Sequence, residues 1–381
     1  MGKWAKAGTV VKMQANWYQA ANLEEVPSPA LLVYPERIEE NVRRMIARAG
    51  GTARLFPHVK THKLAEVVRL QRALGIERFK CATIAEAEMV AGGGAGQVLL
   101  AHQPVGPNVG RLLELVARFP ATRFGAIVDQ AATAAALAAA ARARGTTLEL
   151  FVDLDCGMGR TGLAADAGAF ELYRTIAGLP GARAGGLHAY DGHLRDRDLA
   201  ARTAAVQAAF QPVRALRAQL DQAGLPVPVV VAGGTPTFPV HAAATDVACS
   251  PGTCLLWDAG YAAGLPDLDF LWAATVLTRV ISKPRPNRLC LDLGHKAIAS
   301  ENPHPRVKLL EVPEATAVMH SEEHLVIETA RAGEFAVGDA LYGVPWHICP
   351  TVALHAQAVV VRGGRAESSW RIAARDRMLT I

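Results

Sequence analysis

The run RLFPHVKTHK, residues 54–63, sets five side chains that can carry positive charge (Arg54, His58, Lys60, His62 and Lys63) around a short apolar stretch. A lysine that ends a strand among other cations is a candidate for losing its proton, because neighbouring charge and partial burial both disfavour the ammonium form. The free amine would then attack a carbonyl carbon. A solvated basic patch is the competing reading. GGTPT (233–237) and SPGT (250–253) bring Gly233, Gly234 and Thr235, and then Gly252 and Thr253, into turns rich in backbone N–H groups and hydroxyls. Such turns cradle a phosphate, although tight turns alone also call for glycine. In WHICPT, His347 and Cys349 are one residue apart and on an extended strand would point the same way. Imidazole and thiolate suit zinc or a similar borderline ion, and two protein ligands leave positions for water or substrate.

These groups need elements to hold them. From residue 54 a rhythm of apolar runs and Ala/Leu-rich helical stretches predicts strands at 55–59, 79–82, 97–101, 123–128, 147–153, 184–189, 228–232 and 246–250. Eight alternating units imply a closed α/β (β/α)8 TIM-type barrel, with a doubly wound open sheet as the rival. In a barrel the chemistry gathers at the C-terminal strand ends. Those ends carry Lys60, Thr83, His102 and Gln103, Asp129, Asp155 with Arg160 in GMGRTG, and His188 with Tyr190, followed by the two glycine turns. After about residue 265 short strand-like runs without long helices predict a mainly-β domain. The expected division is 1–26, an N-terminal segment packing on the β domain; 27–262, the barrel; and 263–381, the C-terminal β domain with the metal pair.

With 381 residues and 51% hydrophobic content the chain can bury a large core. The net charge of +5 comes from scattered residues, which speaks against nucleic acid. Six cysteines without paired spacing favour a reducing compartment over a disulfide framework. The start resembles no signal peptide, and no apolar run reaches the roughly 18 residues of a membrane span. The expectation is a cytoplasmic protein with no membrane partner.

A phosphate site facing a strand-end lysine suggests pyridoxal 5′-phosphate held as a Schiff base. At this point PHVKTHK, GMGRTG, AGGTPT, SPGT, SEEHLVIE and PWHICPTVALH together resemble the fold-type III pyridoxal-phosphate enzymes, and more narrowly the D-threonine aldolase and D-serine dehydratase family, over nearly the whole chain. The resemblance makes Lys60 the Schiff-base lysine and Arg160 the contact of the cofactor's phenolic oxygen, with His188 and Tyr190 flanking its ring. Ser250 stands where the racemases carry an arginine at the pyridine nitrogen, a departure that would weaken the electron sink. The resemblance gives His347 and Cys349 a divalent metal, zinc ahead of manganese or magnesium, and implies a homodimer. It further implies a lyase acting on a small D-β-hydroxy amino acid. Retro-aldol cleavage of a D-threonine-type substrate to glycine and an aldehyde is the first reading. The alternative is dehydration of D-serine or D-hydroxyaspartate to a keto acid and ammonia. His193 and His324 are the candidate bases, and Glu322 or His324 of SEEH could edge the metal.

Overall fold

The computed structural model describes residues 16–381. Its parallel sheet contains β2 (Arg78–Cys81), β3 (Gln97–Leu100), β4 (Arg123–Val128), β5 (Leu148–Leu154), β6 (Ala182–Ala189), β7 (Val230–Ala232) and β8 (Ala248–Cys249), paired in that order. Buried on both faces, these strands read in sequence as apolar runs. The eighth stave is residues 55–59, and it joins both edges. Phe56 N–H donates to Cys249 O at 2.8 Å and Val59 N–H to Lys80 O at 3.0 Å, while Pro57 O accepts from Lys80 N–H at 3.0 Å. Pro57 has no N–H to give, so this stave pairs through isolated bridges and the regular sheet has seven strands. The barrel therefore closes as expected, with one irregular stave. Below its mouth Phe56, Leu99, Ile127, Phe151, Val231 and Ala248 plug the interior. The Phe151 ring fits because Gly125 and Gly185 face it; a Cβ at either would come within 2.8 and 2.4 Å of the ring.

Helices form the outer ring. They are α1 (Pro35–Ala49), α2 (Ala65–Ala73), α3 (Ile84–Gly92), α4 (Pro107–Arg118), α5 (Ala131–Ala143), α6 (Ala167–Gly178), α7 (Leu199–Gln222) and the short α8 (Phe238–Ala243) and α9 (Ala259–Gly264). Helix α1 starts on proline and stops at Gly50 in the left-handed region, as the two residues' backbone preferences dictate. Thr83 and Asp198 cap α3 and α7 by accepting the Glu86 and Ala201 N–H groups. No helix among the described residues is long and apolar enough to cross a membrane.

The second sheet is antiparallel in the main. It comprises β1 (Ala30–Val33), β9 (Ala274–Arg285), β10 (Arg288–Leu291), β11 (Val307–Leu309), β12 (Thr316–His320), β13 (Leu325–Glu328), β14 (Ala340–Pro345), β15 (Gln357–Arg362) and β16 (Arg365–Arg371). Strand β1 lies in the 27–262 stretch expected for the barrel, yet it pairs antiparallel with β9 and parallel with β15. Of the 1–26 segment, residues 1–15 lie outside the described residues. The remainder packs on this sheet: Ala20 N–H donates to Tyr342 Oη at 2.9 Å, and Asn22 Nδ2 to Ala366 O at 3.0 Å.

Candidate functional site

The strand ends that deliver the polar residues do meet. The mouth of the barrel is a cleft lined by His58, Lys60, Lys80, Asp153, Arg160, Thr161, His188 and Tyr190. Tyr190 is its pivot: Lys60 Nζ, Lys80 Nζ and Arg160 Cζ stand 5.5, 5.4 and 5.0 Å from the centre of its ring. Three cations around one aromatic ring make a site that favours an anionic, planar ligand. The nearest carboxylate is already engaged, since Asp153 accepts from Thr161 Oγ1 at 2.8 Å and holds His188 Nδ1 at 2.7 Å. Burial alone would raise the Asp153 pKa, but these hydrogen bonds and the charges beyond them hold it below its ordinary value. Burial pushes His188 down in spite of Asp153 and leaves its ring neutral.

Above the cleft the two glycine turns face each other. Gly252 and Thr253 N–H both donate to Thr235 Oγ1, at 3.2 and 3.1 Å, so adjacent amides converge on one oxygen position. Gly233 has φ +72°, open to glycine at little cost, and a Cβ on Gly252 would fall 2.6 Å from His58 O. Thr235, Ser250 and Thr253 are buried with them. Converging amides and hydroxyls, with cations across the mouth, fit the phosphate of pyridoxal phosphate.

The surroundings expected for Lys60 differ. Lys63 pairs with buried Glu86, Arg54 donates to the carbonyls of His241 and Ala242, and His62 is enclosed in the core. None of these three lines the cleft, because the chain turns away from the barrel axis after Thr61. The second pocket amine is Lys80, from β2, whose pKa burial and then Lys60 push down to about 7. Sequence reasoning missed it. Its signal was a lysine inside the apolar run FKCA, a costly place for a charge.

His347 and Cys349 do come together, but on different local structure from the strand expected. His347 is the extended residue before α10 (Ile348–Leu354), and Cys349 lies in the first turn of that helix. Pro350 sits in the same turn, where its missing N–H costs nothing, so the proline marks a helix start. The helix brings Cys349 Sγ to 3.2 Å from Thr61 Oγ1 and 3.5 Å from Thr253 Oγ1, beside the lysine and the cradle at once. Burial opposes charge on both members of the pair. Their mutual hydrogen bond and attraction, with Glu301 on His347 Nδ1, outweigh it, raising His347 to about 9 and drawing the Cys349 thiol below its usual range. A thiolate beside an imidazole held by a carboxylate offers a metal a donor pair once the ion displaces the proton that the imidazole carries. Among the described residues no third His, Cys, Asp or Glu completes a cluster with them. Buried Asp258 supports the helix start, accepting from Ile348 N–H at 3.1 Å. Asp258 and Glu301 were not singled out in the sequence, since only the fold carries them to residue 347.

Other expected residues lie apart. His193 is exposed and packs on the Arg160 loop, where a Cβ on Gly157 would reach 3.2 Å from its Nε2. The SEEH turn between β12 and β13 is exposed, with Glu322 paired to Lys296 at 3.1 Å. Asp155 accepts from Gly157 and Gly159 N–H and shapes the arginine loop, so neither Asp153 nor Asp155 pairs with Arg160.

Two family profiles match the chain: alanine racemase, N-terminal domain, over residues 33–259, and a putative serine dehydratase domain over 273–361. A D-threonine aldolase of Arthrobacter sp. is 32% identical over 361 residues, covering 93% of this chain and 94% of that protein. The crystal structure of D-threonine aldolase from Filomicrobium marinum superposes with a TM-score of 0.87 at 28% identity, covering 94% of this chain and 98% of that one. A mutant of D-threo-3-hydroxyaspartate dehydratase in the metal-free form gives 0.78 at 25%, covering 92% and 98%.

Proposed function

This chain belongs to the alanine racemase-like family that joins such a barrel to a serine dehydratase-type β domain, the family of the D-threonine aldolases, and from that premise we propose that it cleaves D-β-hydroxy amino acids of the D-threonine type to glycine and an aldehyde. It is an enzyme of the pyridoxal phosphate-dependent lyase class. The observation that supports the lyase reading is the convergence, in one mouth, of an amine at Lys60, an anion cradle at 233–235 and 252–253, and the His347–Cys349 pair one residue away from that amine through Thr61; the likeness to D-threonine aldolase over nearly the whole chain favours cleavage.

Pyridoxal phosphate, when bound, supplies the electron sink for the carbanion left as the Cα–Cβ bond breaks. Lys60 is the amine that takes its aldehyde, and Gly233, Gly234, Thr235, Gly252 and Thr253 hold its phosphate through N–H groups and hydroxyls. Arg160 lends a fixed positive charge at the phenolic oxygen. His188 and Tyr190 flank the ring, His188 kept in one orientation by Asp153, and Ser250 closes the wall beneath. A divalent ion, zinc ahead of manganese or magnesium, supplies Lewis acidity toward the substrate hydroxyl. His347 and Cys349 are its proposed ligands, with Glu301 fixing the imidazole. His193, on the exposed rim beside the arginine loop, is the proposed acceptor of the hydroxyl proton. The working molecule is proposed to be a homodimer.

The likeness to a hydroxyaspartate dehydratase favours one second reading, loss of water from the same class of substrate. Incubation with D-threonine, D-threo-3-hydroxyaspartate and D-serine decides between them. Glycine with an aldehyde is the expected outcome, and a keto acid with ammonia from each substrate would replace the aldolase reading by the dehydratase one.

A further inference from the structure

The proposed chemistry leaves one cation in the cleft without a task. Lys80 is 2% exposed, and the hydrogen-bond partners of its amine among the described residues are Ser250 Oγ and, at 3.5 Å, His188 Nε2, neither of them an anion. The charges that reach it are Lys60 and Arg160, which repel it, and Asp191 and Asp153, which attract it. Both carboxylates are spent elsewhere. Asp153 serves His188 and Thr161, at 2.7 and 2.8 Å, and Asp191 serves Thr237 and His241, both at 2.7 Å. A buried amine without an anion is costly unless something else needs it. Its pKa of about 7 means that a lone pair set against it would restore its proton.

Ser250 cannot serve such a ligand as a donor, because its one hydroxyl hydrogen goes to Gly233 O at 2.7 Å. His58 accepts the Lys60 N–H at Nδ1, so its other nitrogen carries the hydrogen, and burial keeps the ring neutral. The floor of the mouth thus offers donors, and its carboxylates are occupied. On the pyridoxal phosphate reading, on which this inference rests, the aldehyde carbon is at Lys60 and the ring nitrogen is the ring atom para to it. A buried ring nitrogen needs a partner. An available carboxylate would keep it protonated, whereas a cationic donor keeps it unprotonated. We propose that Lys80 is the hydrogen-bond donor to the cofactor's ring nitrogen and holds that nitrogen unprotonated, with Ser250 and His188 aiming the amine.

The test reconstitutes the full-length protein with 15N-labelled pyridoxal 5′-phosphate and follows the ring nitrogen's chemical shift against pH. Wild type, Lys80→Arg, Lys80→Met and Lys80→Gln are compared, and the borohydride-reduced peptide is mapped in each preparation. With the label on Lys60, wild type and Lys80→Arg keep an unprotonated nitrogen through neutrality. In the two neutral variants the protonation midpoint rises by about 1–3 pH units, and the cofactor dissociates about tenfold more readily. A protonated nitrogen in the wild type at neutral pH overturns the proposal without recourse to any variant, and so does a midpoint that neither neutral variant moves. A wild-type peptide labelled anywhere but Lys60, or not at all, overturns the pocket reading and the role of Lys80 with it. That failure is separable, because the others require the Lys60 label in place.

Discussion

At Cys349 the thiol has hydroxyls from Thr61 and Thr253 on one side and the His347 imidazole on the other, so it serves both domains. Its removal separates metal from cofactor. Cys349→Ala is expected to keep the cofactor's visible absorbance, lose bound metal by elemental analysis and drop turnover at least about 100-fold; normal activity in metal-free buffer would remove the ion from the account. His62 offers a pH prediction away from the chemistry. Burial, and then Lys63, lower its pKa to about 3, and its Nε2 is buried without a partner. An unfolded histidine titrates near 6.5. As pH falls through that value the unfolded chain takes up a proton that the folded chain refuses. Stability is therefore full above about pH 6.5 and falls below it by about 1.4 kcal/mol per pH unit for this group. In His62→Asn the amide oxygen can still accept the Leu64 N–H that His62 Nδ1 now takes at 3.1 Å. Urea denaturation at pH 7, 6 and 5 should give a shallower decline for the variant, and parallel declines would show that His62 is not the group responsible.

At the scale of elements, the barrel staves were legible because strands buried on both faces must be apolar and must end where the chain turns to a helix. The glycine turns were legible for a similar reason, since close backbone approach excludes Cβ. Gly252 shows it against backbone, with His58 O only 2.6 Å from the place a methyl would occupy. Gly252→Ala is expected to push β8 and the 55–59 stave apart at the cradle and weaken cofactor binding at least about tenfold in equilibrium titration; an unchanged affinity would place the phosphate elsewhere. WHICPT misled at this scale. Alternation along a strand brings residues i and i+2 to one side, and so does an extended residue followed by a helix start; only α10 shows which one the chain uses.

Across the whole molecule, the two sheets are sewn together by the chain's own order. Strand β1 precedes the barrel yet sits between β9 and β15. Gly260 N–H donates to Trp346 O at 3.1 Å, and Ala374 N–H to Lys63 O at 3.3 Å, across the same seam. A barrel cut from its β domain would expose apolar surface and lose Cys349 from the mouth. Residues 34–262 expressed alone are expected to aggregate or to lack cofactor absorbance, while the full chain melts in one calorimetric transition that added cofactor shifts upward. Two separate transitions, with the first matching the isolated barrel, would show that the halves fold independently.

What the sequence determined by itself was every feature written in local chemistry: the apolar staves, the glycines that permit a cradle, Lys60 at a strand end and the His347–Cys349 pair. What the tertiary structure alone decided was which distant groups become neighbours. It seated β1 in the second sheet, sent Lys63, Arg54 and His62 away from Lys60, and brought Lys80, Asp258 and Glu301 to the site. Strand pairing and side-chain burial depend on contacts between residues far apart in the chain, and a single local run carries no record of its partner.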